Sequence, residues 1–300
     1  MNYYLCMDSG GTSTNTYALS YSGEIIDQIT TGCGSPAVDF EYANRNIYDS
    51  IEKIYQNNIN NHLISIALGI SGLGAVPNVS EMKEEIEQKY QVPCIIVTDA
   101  HIALFRLVDL TNSKDAVILI AGTGNACLGT NSKEVHLTGG GGPLLDEAGS
   151  AYSFTHRLSL NIKHNFEIGK EYTNLQKACL KYFNCKDFPE LKTFFYNHTK
   201  EEIASFTKIA LNSSLDEEAK ALIKDQAKYL MEQVNLQYQY FKFENKLILG
   251  LLGGFFHHNE LLSDEIKKII KNNNLNIELI TNIDKIYLGA LLLAKQLGNK

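Results

Sequence analysis

The residues of this chain best suited to chemistry follow a short apolar segment near its beginning. Residues 3–7 lead into a polar turn of Asp8, Ser9, Gly10, Gly11, Thr12, Ser13 and Thr14. Glycines let backbone amides approach phosphate oxygens closely, and the three hydroxyls at the end of the turn add donors. Asp8 would repel phosphate unless a cation such as Mg²⁺ stood between them. The turn is therefore a candidate phosphate and metal site, and a plain β-hairpin turn is the alternative.

A second apolar segment leads into a similar turn near the middle of the chain. Residues 116–121 are apolar, and they are followed by Gly122, Thr123, Gly124 and Asn125. One glycine-rich turn is weak support for a phosphate site, because hairpins use the same residues. Two such turns, each following an apolar strand, favour a pair of phosphate-binding loops.

The elements that must position these turns occur in the same order in both halves of the chain. In the first half, apolar segments at 16–21 and 25–30 precede a helix at 40–57, a strand at 63–70, a helix at 80–90, a strand at 94–98 and a helix at 100–108. In the second half, strands at 126–130 and 134–138 precede a helix from about 147, a long helix from Ser214, a strand at 247–252, a helix at 258–272, a strand at 275–280 and a helix at 284–297. Apolar periodicity thus predicts an α/β fold of two β-β-β-α-β-α-β-α halves, with extra helices between about 155 and 210 in the second.

Composition restricts the partners that this chain is expected to have. It has 300 residues, of which 44% are hydrophobic, enough for two domains with their own cores. Its 27 Lys and Arg against 34 Asp and Glu leave a net charge of −7, which disfavours nucleic acid and anionic membranes. No apolar run reaches the length of a membrane span, and no basic leader precedes the first strand. Six scattered cysteines without a CxxC pair suggest buried thiols in a reducing cytoplasm.

The ordered motifs resemble those of a known family of nucleotide-binding proteins. The two glycine turns, the string Thr98-Asp99-Ala100, the stretch 139–152 and the stretch 249–255 resemble motifs of the BadF/BadG/BcrA/BcrD-type ATPases. This group belongs to the actin-like and sugar-kinase superfamily and includes N-acetylglucosamine kinases. The resemblance implies two ribonuclease H-like (actin-like ATPase) domains that face each other across a nucleotide cleft.

The resemblance also implies roles for residues around the nucleotide. Asp99 matches the catalytic base of the kinases, with the capping of the next helix as its alternative. Asp8 would hold Mg²⁺, through water, and residues 10–14 and 122–125 would bind the phosphates of ATP. Gly253 and Gly254 match the adenosine motif, although a strand-to-helix turn explains them almost as well.

The sugar site is where the chain departs from the family pattern. The family's acceptor-site asparagine is absent from residues 32–37, and its tryptophan is replaced by Gly141 in a chain without tryptophan. Glu147 stands where the family has aspartate, so the pocket is expected to differ and to admit a bulkier sugar such as a lactyl-bearing muramic acid. The expected sugar-binding residues are Ser35, Ser71, Gly72, Asp99, Gly142, Asp146 and Glu147, with Ser71 as an ordinary loop serine the alternative.

These inferences predict an ATP- and Mg²⁺-dependent kinase of an amino sugar in the cytoplasm. The substrate would be N-acetylglucosamine or a related N-acetylhexosamine such as N-acetylmuramic acid, and a homodimer is one candidate assembly. A non-kinase ATPase of the same family, the dehydratase activator, is disfavoured because residues 119–121, just before Gly122, include no cysteine to ligate its iron–sulfur cluster. A sugar-sensing protein is disfavoured because both phosphate motifs are complete and no DNA-binding helices precede the first strand.

Domain boundaries are expected near the middle and near the end of the chain. Residues 1–112 would form the sugar and phosphate domain, completed by the helix at 284–300. Residues 113–283 would form the nucleotide domain with its helical insertion.

Overall fold

Two five-stranded sheets organise the chain, one in each of two compact units. The computed structural model describes residues 1–145, 147–211 and 216–298. The first unit comprises Met1–Ala116 with Ile283–Lys300, and the second comprises Val117–Asn282. The α/β class expected from the strand order is confirmed.

The first unit contains five strands and the helices that cover them. Its elements are β1 (Asn2–Ser9), β2 (Thr14–Leu19), β3 (Ile25–Thr31), α1 (Phe40–Asn57), β4 (His62–Ile70), α2 (Val79–Tyr90), β5 (Cys94–Val97) and α3 (Asp99–Thr111), with α12 (Tyr287–Gly298) added from the end of the chain. The strand order is β3-β2-β1-β4-β5, with β1 antiparallel to β2 and parallel to β4, and β4 parallel to β5. The carboxyl ends of β1, β4 and β5 therefore meet at one edge of the sheet.

Strand β1 is buried on both faces, which explains its uninterrupted apolar sequence. Tyr3, Leu5 and Met7 are fully buried in a core with α1 and α2. Tyr4 and Cys6 point to the other face, where they join a core with α3 and α12. Burial on both sides fixes the register of the strand and, with it, the position of the turn that follows.

A glycine allows α12 to pack closely on α3. A β-carbon at Gly289 would collide with the carbonyl oxygen of Ile102 and lie 2.6 Å from the amide nitrogen of Arg106. Arg106 is itself buried and donates from Nε to the carbonyl of Asp284 at 2.9 Å. Helix α3, which begins with Asp99, is therefore held in place by the last helix of the chain.

The second unit repeats the strand order of the first. Its elements are β6 (Ala116–Ala121), β7 (Asn125–Thr130), β8 (Val135–Thr138), α4 (Ala151–Glu167), α5 (Asn174–Tyr182), α6 (Phe188–Asn197), α7 (Lys200–Ala204), α8 (Thr207–Ala210), α9 (Glu217–Phe241), β9 (Leu247–Leu252), α10 (Gly254–His257), α11 (Glu260–Asn272) and β10 (Ile277–Ile280). Its sheet order is β8-β7-β6-β9-β10, which is equivalent to β3-β2-β1-β4-β5 in the first unit. The two halves are thus built on the same plan, with α5–α8 inserted in the second.

Several element ends differ from those expected from periodicity. The helix expected from about 147 begins at Ala151, where Ser150 caps it. Helix α9 begins at Glu217 and is capped by Asp216, while Ser214, the expected cap, lies outside the described residues. The helix expected over 258–272 begins at Glu260, because the Asn259 side chain accepts from the amide of Leu262 and caps it. A separate short helix, α10, precedes it and was not expected.

A helix that crosses a bilayer needs about 20 consecutive and predominantly apolar residues. Within the described ranges, none of the helices combines the two properties needed for a membrane span.

Candidate functional site

The first glycine turn joins the antiparallel strands β1 and β2. Gly10 donates to the carbonyl of Ser13 at 2.9 Å and closes the turn. Gly11 and Thr12 are exposed, and within the described residues their amides have no hydrogen-bond partner. The turn therefore has the shape of a hairpin and also presents free amide donors and the Thr12 hydroxyl to a ligand.

A buried hydroxyl network supports this turn from below. Ser9 and Thr14 are fully buried and lie 3.1 Å apart through their hydroxyl oxygens. Ser9 donates to the carbonyl of Gly34 at 2.9 Å, and Thr14 donates to the carbonyl of Gly32 at 3.1 Å. A β-carbon at Gly34 would collide with both hydroxyls. The Thr14 hydroxyl is thus committed to the support of the turn, and the hydroxyls of Thr12 and Ser13 are the ones left for a ligand.

Ser35, Ser71 and Gly72 lie close together beside the first turn. The amide of Ser71 donates to the carbonyl of Ser9 at 2.9 Å, at the end of β4. Gly72 has a φ of +69°, and a β-carbon there would lie 2.6 Å from Ser35 Oγ and 2.7 Å from Ala37 Cβ. Ser35 is only 3% exposed, so it supports this loop from within. The structure therefore brings these three expected sugar residues into one neighbourhood.

Asp8 and Asp99 lie at the same edge of the first sheet. Asp8 is paired with Gly69 of β4, and Gly69 is paired with Val97 at the end of β5, two residues before Asp99. The Ser71 hydroxyl, just beyond β4, is near enough to the Asp99 carboxylate to act as a donor that lowers its pKa. Polar groups of three neighbouring strand ends thus converge at the carboxyl edge, where α/β sheets bind ligands.

The pKa values of both carboxyls are raised in this setting. Burial, with a smaller contribution from the Asp99 charge, raises the pKa of Asp8 from 3.8 to about 6. Burial also raises the pKa of Asp99, against the opposing effect of hydrogen bonds from the Ala100 amide and the Ser71 hydroxyl. A pair of half-buried carboxylates without a cation between them is electrostatically costly, and such pairs are typical of functional sites.

Asp99 is not the N-cap residue of helix α3. The cap of α3 is Thr98, whose side chain accepts from the amide of His101 at 3.3 Å. Asp99 is the first residue of the helix, and its carboxylate accepts from the Ala100 amide at 2.9 Å. The carboxylate is therefore left with free acceptor positions toward a ligand.

The donor set around Asp8 suits a magnesium ion held partly by water. Mg²⁺ prefers oxygen ligands, keeps several waters and takes one or two carboxylates together with substrate phosphates. Asp8 offers a carboxylate with a raised pKa, and the described residues place no cation or hydrogen-bond donor on it. Among the described residues, no three His, Cys, Asp or Glu side chains are close enough together to hold a metal ion. Protein ligands alone therefore do not form a metal site there. The residues present fit a water-bridged ion and not a closed metal cage.

The second glycine turn is anchored to the start of α4. Gly122 donates to the carbonyl of Gly124 at 2.8 Å. The first amides of α4, those of Ala151 and Tyr152, donate to the carbonyls of Gly122 and Thr123 at 2.9 and 3.2 Å. The turn therefore has a fixed shape without any ligand.

Asn125 ties this turn to the glycine-rich loop that follows β8. Its side-chain oxygen accepts from the Gly140 amide at 3.0 Å, and its side-chain nitrogen donates to the carbonyl of Ala148. Its backbone amide donates to Glu147 Oε2 at 3.2 Å. Asn125 is 9% exposed and supports this loop from within, and its expected contact with phosphate stays a prediction.

Glu147 forms a buried ion pair against the second turn. Its Oε1 accepts from Lys200 Nζ at 2.5 Å, and its side chain is 5% exposed. A β-carbon at Gly124 would lie 2.6 Å from both Lys200 Nζ and Glu147 Oε2. The carboxylate expected to bind sugar is thus already engaged by an insertion lysine and a turn amide, and its contact with sugar stays a prediction.

Gly142 and Asp146 are the two remaining residues that are expected to bind sugar. Gly142 has a φ of +84°, and a β-carbon there would meet no described atom within 4 Å, so the space beside it is open and its contact with sugar stays a prediction. Asp146 lies outside the described residues.

A cavity of about 400 Å³ opens beside the second turn. Gly122 and Thr123 line it together with Gly254 of the expected adenosine motif. The neighbouring Gly253 has a φ of +110°, and a β-carbon there would collide with the carbonyl of Ala121. Gly253 thus lets the turn after β9 rest on the end of β6, which is why the two glycine motifs share one cavity.

The insertion helices supply a wall of this cavity that sequence reasoning missed. Glu201, Ser205 and Lys208 line it from α7 and α8, and His258 lines it after α10. Residues 201, 205 and 208 are three or four apart, so they lie on one helical face. That spacing in a polar segment is the signal that would have indicated a lining role.

The BadF/BadG/BcrA/BcrD ATPase family model matches residues 5–294. The chain belongs to this family. Family membership implies that the protein uses ATP, and its two-sheet fold is that of the two-domain actin-like sugar kinases.

Individual relatives are similar over nearly their whole length. The chain is 23% identical to an N-acetylmuramic acid/N-acetylglucosamine kinase of Clostridium acetobutylicum, over 98% of this chain and 99% of the relative. It is 25% identical to an N-acetyl-D-glucosamine kinase of Dictyostelium discoideum, over 97% of each. A solved structure from Chromobacterium violaceum, of a protein proposed to be an N-acetylglucosamine kinase, matches with a TM-score of 0.67 and 17% identity, over 97% of this chain and 98% of that one.

Proposed function

We propose that the protein is an ATP-dependent kinase that phosphorylates a hydroxyl of an amino sugar. The acceptor is N-acetylglucosamine or a related N-acetylhexosamine such as N-acetylmuramic acid. The observation that carries the proposal is the pair of half-buried carboxylates at one sheet edge, with the pKa values of both Asp8 and Asp99 raised by burial. Family membership and the names of the relatives support it.

Asp99 acts as the general base in this proposal. A sugar hydroxyl is a weak nucleophile until its proton is accepted during attack on the γ-phosphorus. The proton passes to the Asp99 carboxylate as the new oxygen–phosphorus bond forms, and the bond to the β,γ-bridging oxygen breaks with its electrons leaving on ADP. The raised pKa makes Asp99 a stronger base, and the Ser71 hydroxyl orients it.

Phosphate binding is assigned to the two glycine turns. Gly11 and Thr12 would present free donors from the first turn, and Thr123 would present its own from the second. The amides of Gly10 and Gly122 are bonded within their turns, so these glycines would let the phosphates approach the backbone closely. Asp8 would hold a magnesium ion through water, and the bound ion would neutralise phosphate charge. Use of ATP as the donor favours the cytoplasm as the place of reaction.

We assign the sugar to the first unit and the nucleoside to the second. Ser35, Ser71 and Gly72 form the neighbourhood of Asp99 in the first unit. The cavity beside Gly254 supplies the space for adenosine in the second, and its volume of about 400 Å³ is within the range of small-molecule sites.

The missing aromatic side chain at Gly141 favours a substrate with additional bulk. The loop that carries Gly141 has no side chains over residues 139–142, because all four are glycines. Its backbone has positive φ angles at Gly139, Gly140 and Gly142. A lactyl ether on the sugar ring needs space of this kind. N-acetylmuramic acid is therefore the acceptor that we expect to be used alongside N-acetylglucosamine.

The experiment that tests the function is a coupled ADP-release assay over a panel of sugars. N-acetylglucosamine, N-acetylmannosamine, glucosamine, N-acetylmuramic acid and glucose are each supplied with ATP and Mg²⁺. We expect sugar-dependent ADP release with N-acetylglucosamine or N-acetylmuramic acid. ATP hydrolysis that no sugar stimulates would contradict the kinase and favour an ATPase of another kind.

A further inference from the structure

The second glycine turn lies beside a lysine that belongs to the inserted helices. Lys200 is the first residue of α7, and its Nζ lies 2.6 Å from the position that a β-carbon at Gly124 would take. The ammonium group is therefore in direct proximity to the turn that we assign to the phosphates of ATP.

Glu147 holds this ammonium group in position. The Glu147 carboxylate is buried, and its two oxygens accept from Lys200 Nζ at 2.5 Å and from the Asn125 amide at 3.2 Å. The same carboxylate thus joins the inserted helix to the second turn. Because the lysine is held against rigid backbone, little side-chain freedom remains to be lost when a ligand binds.

The lysine keeps donors available for a ligand. An ammonium group has three N–H donors, and the Glu147 oxygen takes one of them. The Lys200 side chain is 26% exposed, so it is not sealed within the ion pair. The next residue, Glu201, lines the cavity that also includes Gly122 and Thr123.

A cation at this position offsets the acidic balance of the chain beside an anionic ligand. The protein carries a net charge of −7, whereas the phosphates of ATP and ADP are themselves strongly anionic. Glu147 and Glu201 add two carboxylates near the turn, and Lys208 is a cation that lines the neighbouring cavity.

We propose that Lys200 binds the phosphates of ATP and ADP at the Gly122–Gly124 turn, held there by Glu147. This inference rests on the proposed nucleotide site and adds to it a residue outside the glycine motifs. It gives the inserted helices a role in nucleotide recognition, since α7 carries the lysine and α7 and α8 line the cavity.

The test compares a nucleotide that has phosphates with a nucleoside that has none. Isothermal titration measures the binding of ADP and of adenosine to the wild-type protein and to Lys200→Met. A lost charge-assisted hydrogen bond predicts ADP binding weaker by about 10- to 100-fold, with adenosine binding unchanged. Lys200→Arg should recover most of the ADP affinity, because it retains the charge.

Two further variants guard against a purely structural effect. The double variant Lys200→Met with Glu147→Gln removes the ammonium and the carboxylate charge together, so no buried carboxylate is left unpaired. It should also bind ADP more weakly than wild type. The matched control is Lys228→Met with Asp225→Asn, which removes an exposed ion pair of 2.8 Å from α9 and should leave ADP binding at the wild-type value.

Each outcome decides the proposal. Unchanged ADP affinity in Lys200→Met and in Lys200→Met with Glu147→Gln overturns the proposal. An equal loss of ADP and adenosine affinity also overturns it, because it would show that the cavity had collapsed. Failure of the wild-type protein to bind ADP would instead refute the nucleotide site itself, and the inference with it. If the wild-type protein binds ADP but phosphorylates no sugar, the kinase proposal fails and the Lys200 test still applies.

Discussion

Replacing Asp8 with asparagine should stabilise the ligand-free protein at neutral pH. Asp8 lies at the end of a strand that is buried on both faces, and burial together with the Asp99 charge raises the pKa of its carboxyl from 3.8 to about 6. A residue kept at a cost to stability is typical of a functional site, so the sign of this change tests the site directly. Asparagine has nearly the same shape and carries no charge.

The magnitude follows from the difference in pKa. A rise of about two pKa units corresponds to roughly 3 kcal/mol of lost folding free energy well above pH 6. The folded state binds this proton more tightly than the unfolded state, so the stability lost is greatest above pH 6 and is recovered as pH falls from about 6 to about 4. At pH 5 the penalty is about half of its full value.

Urea unfolding, followed by far-ultraviolet circular dichroism, measures this effect for the wild-type protein and Asp8→Asn. We expect Asp8→Asn to gain up to about 3 kcal/mol at pH 7.5, and we expect the gain to shrink by about 1.4 kcal/mol at pH 5. Asp49→Asn, at an exposed position of α1, is the matched control and should change little at either pH. A further series with ADP and Mg²⁺ should stabilise the wild-type protein more than Asp8→Asn.

Two results would refute this reasoning. One is an Asp8→Asn protein that is less stable than wild type at pH 7.5, which would mean that the carboxylate has a favourable partner. The other is a stability difference that is the same at both pH values, which would mean that the pKa of Asp8 is not raised.

Three further predictions test the remaining features of the site. Asp99→Asn should lower kcat by at least about 100-fold. Its ADP affinity, measured by titration calorimetry, should stay within about twofold of wild type. Near-normal turnover would contradict the assignment of Asp99 as the general base. The wild-type kcat/KM should fall as the pH is lowered through about 6, because the Asp8 carboxyl, whose pKa is raised to about 6, takes up a proton there. The pKa of Asp99 is raised in the same direction by burial and adds to the loss at acidic pH, and a rate that is flat between pH 5 and pH 8 would contradict this. Gly289→Ala should destabilise the first unit by about 3 kcal/mol or more, because its β-carbon would collide with the Ile102 carbonyl; an unchanged urea midpoint would show that α12 moves away freely.

The fold was predictable because its signals are local. Two apolar strands that end in glycine turns, followed by elements in the same order, indicated two similar halves, and both sheets have the equivalent strand order. The double burial of β1 explains why its apolar pattern was so clear. The short helix α10 was missed, and the helix expected from residue 258 begins at Glu260, because the Asn259 side chain caps it there.

The site was less predictable because its decisive contacts are long-range. Glu147 and Lys200 are 53 residues apart in sequence, and no local pattern indicates that they pair. The burial of the Thr14 hydroxyl under the first turn depends on Gly32, from another loop. That Thr98, and not Asp99, caps α3 is a difference of one residue, which helix signals do not resolve.

The most direct test of the account is to identify the product by mass spectrometry. The protein is incubated with ATP, Mg²⁺ and either N-acetylglucosamine or N-acetylmuramic acid, beside an Asp99→Asn sample. We predict that the wild-type protein adds one phosphoryl group to at least one of these sugars and that Asp99→Asn adds almost none. ATP turned over to ADP and free phosphate, with both sugars recovered unmodified, would contradict the proposed function.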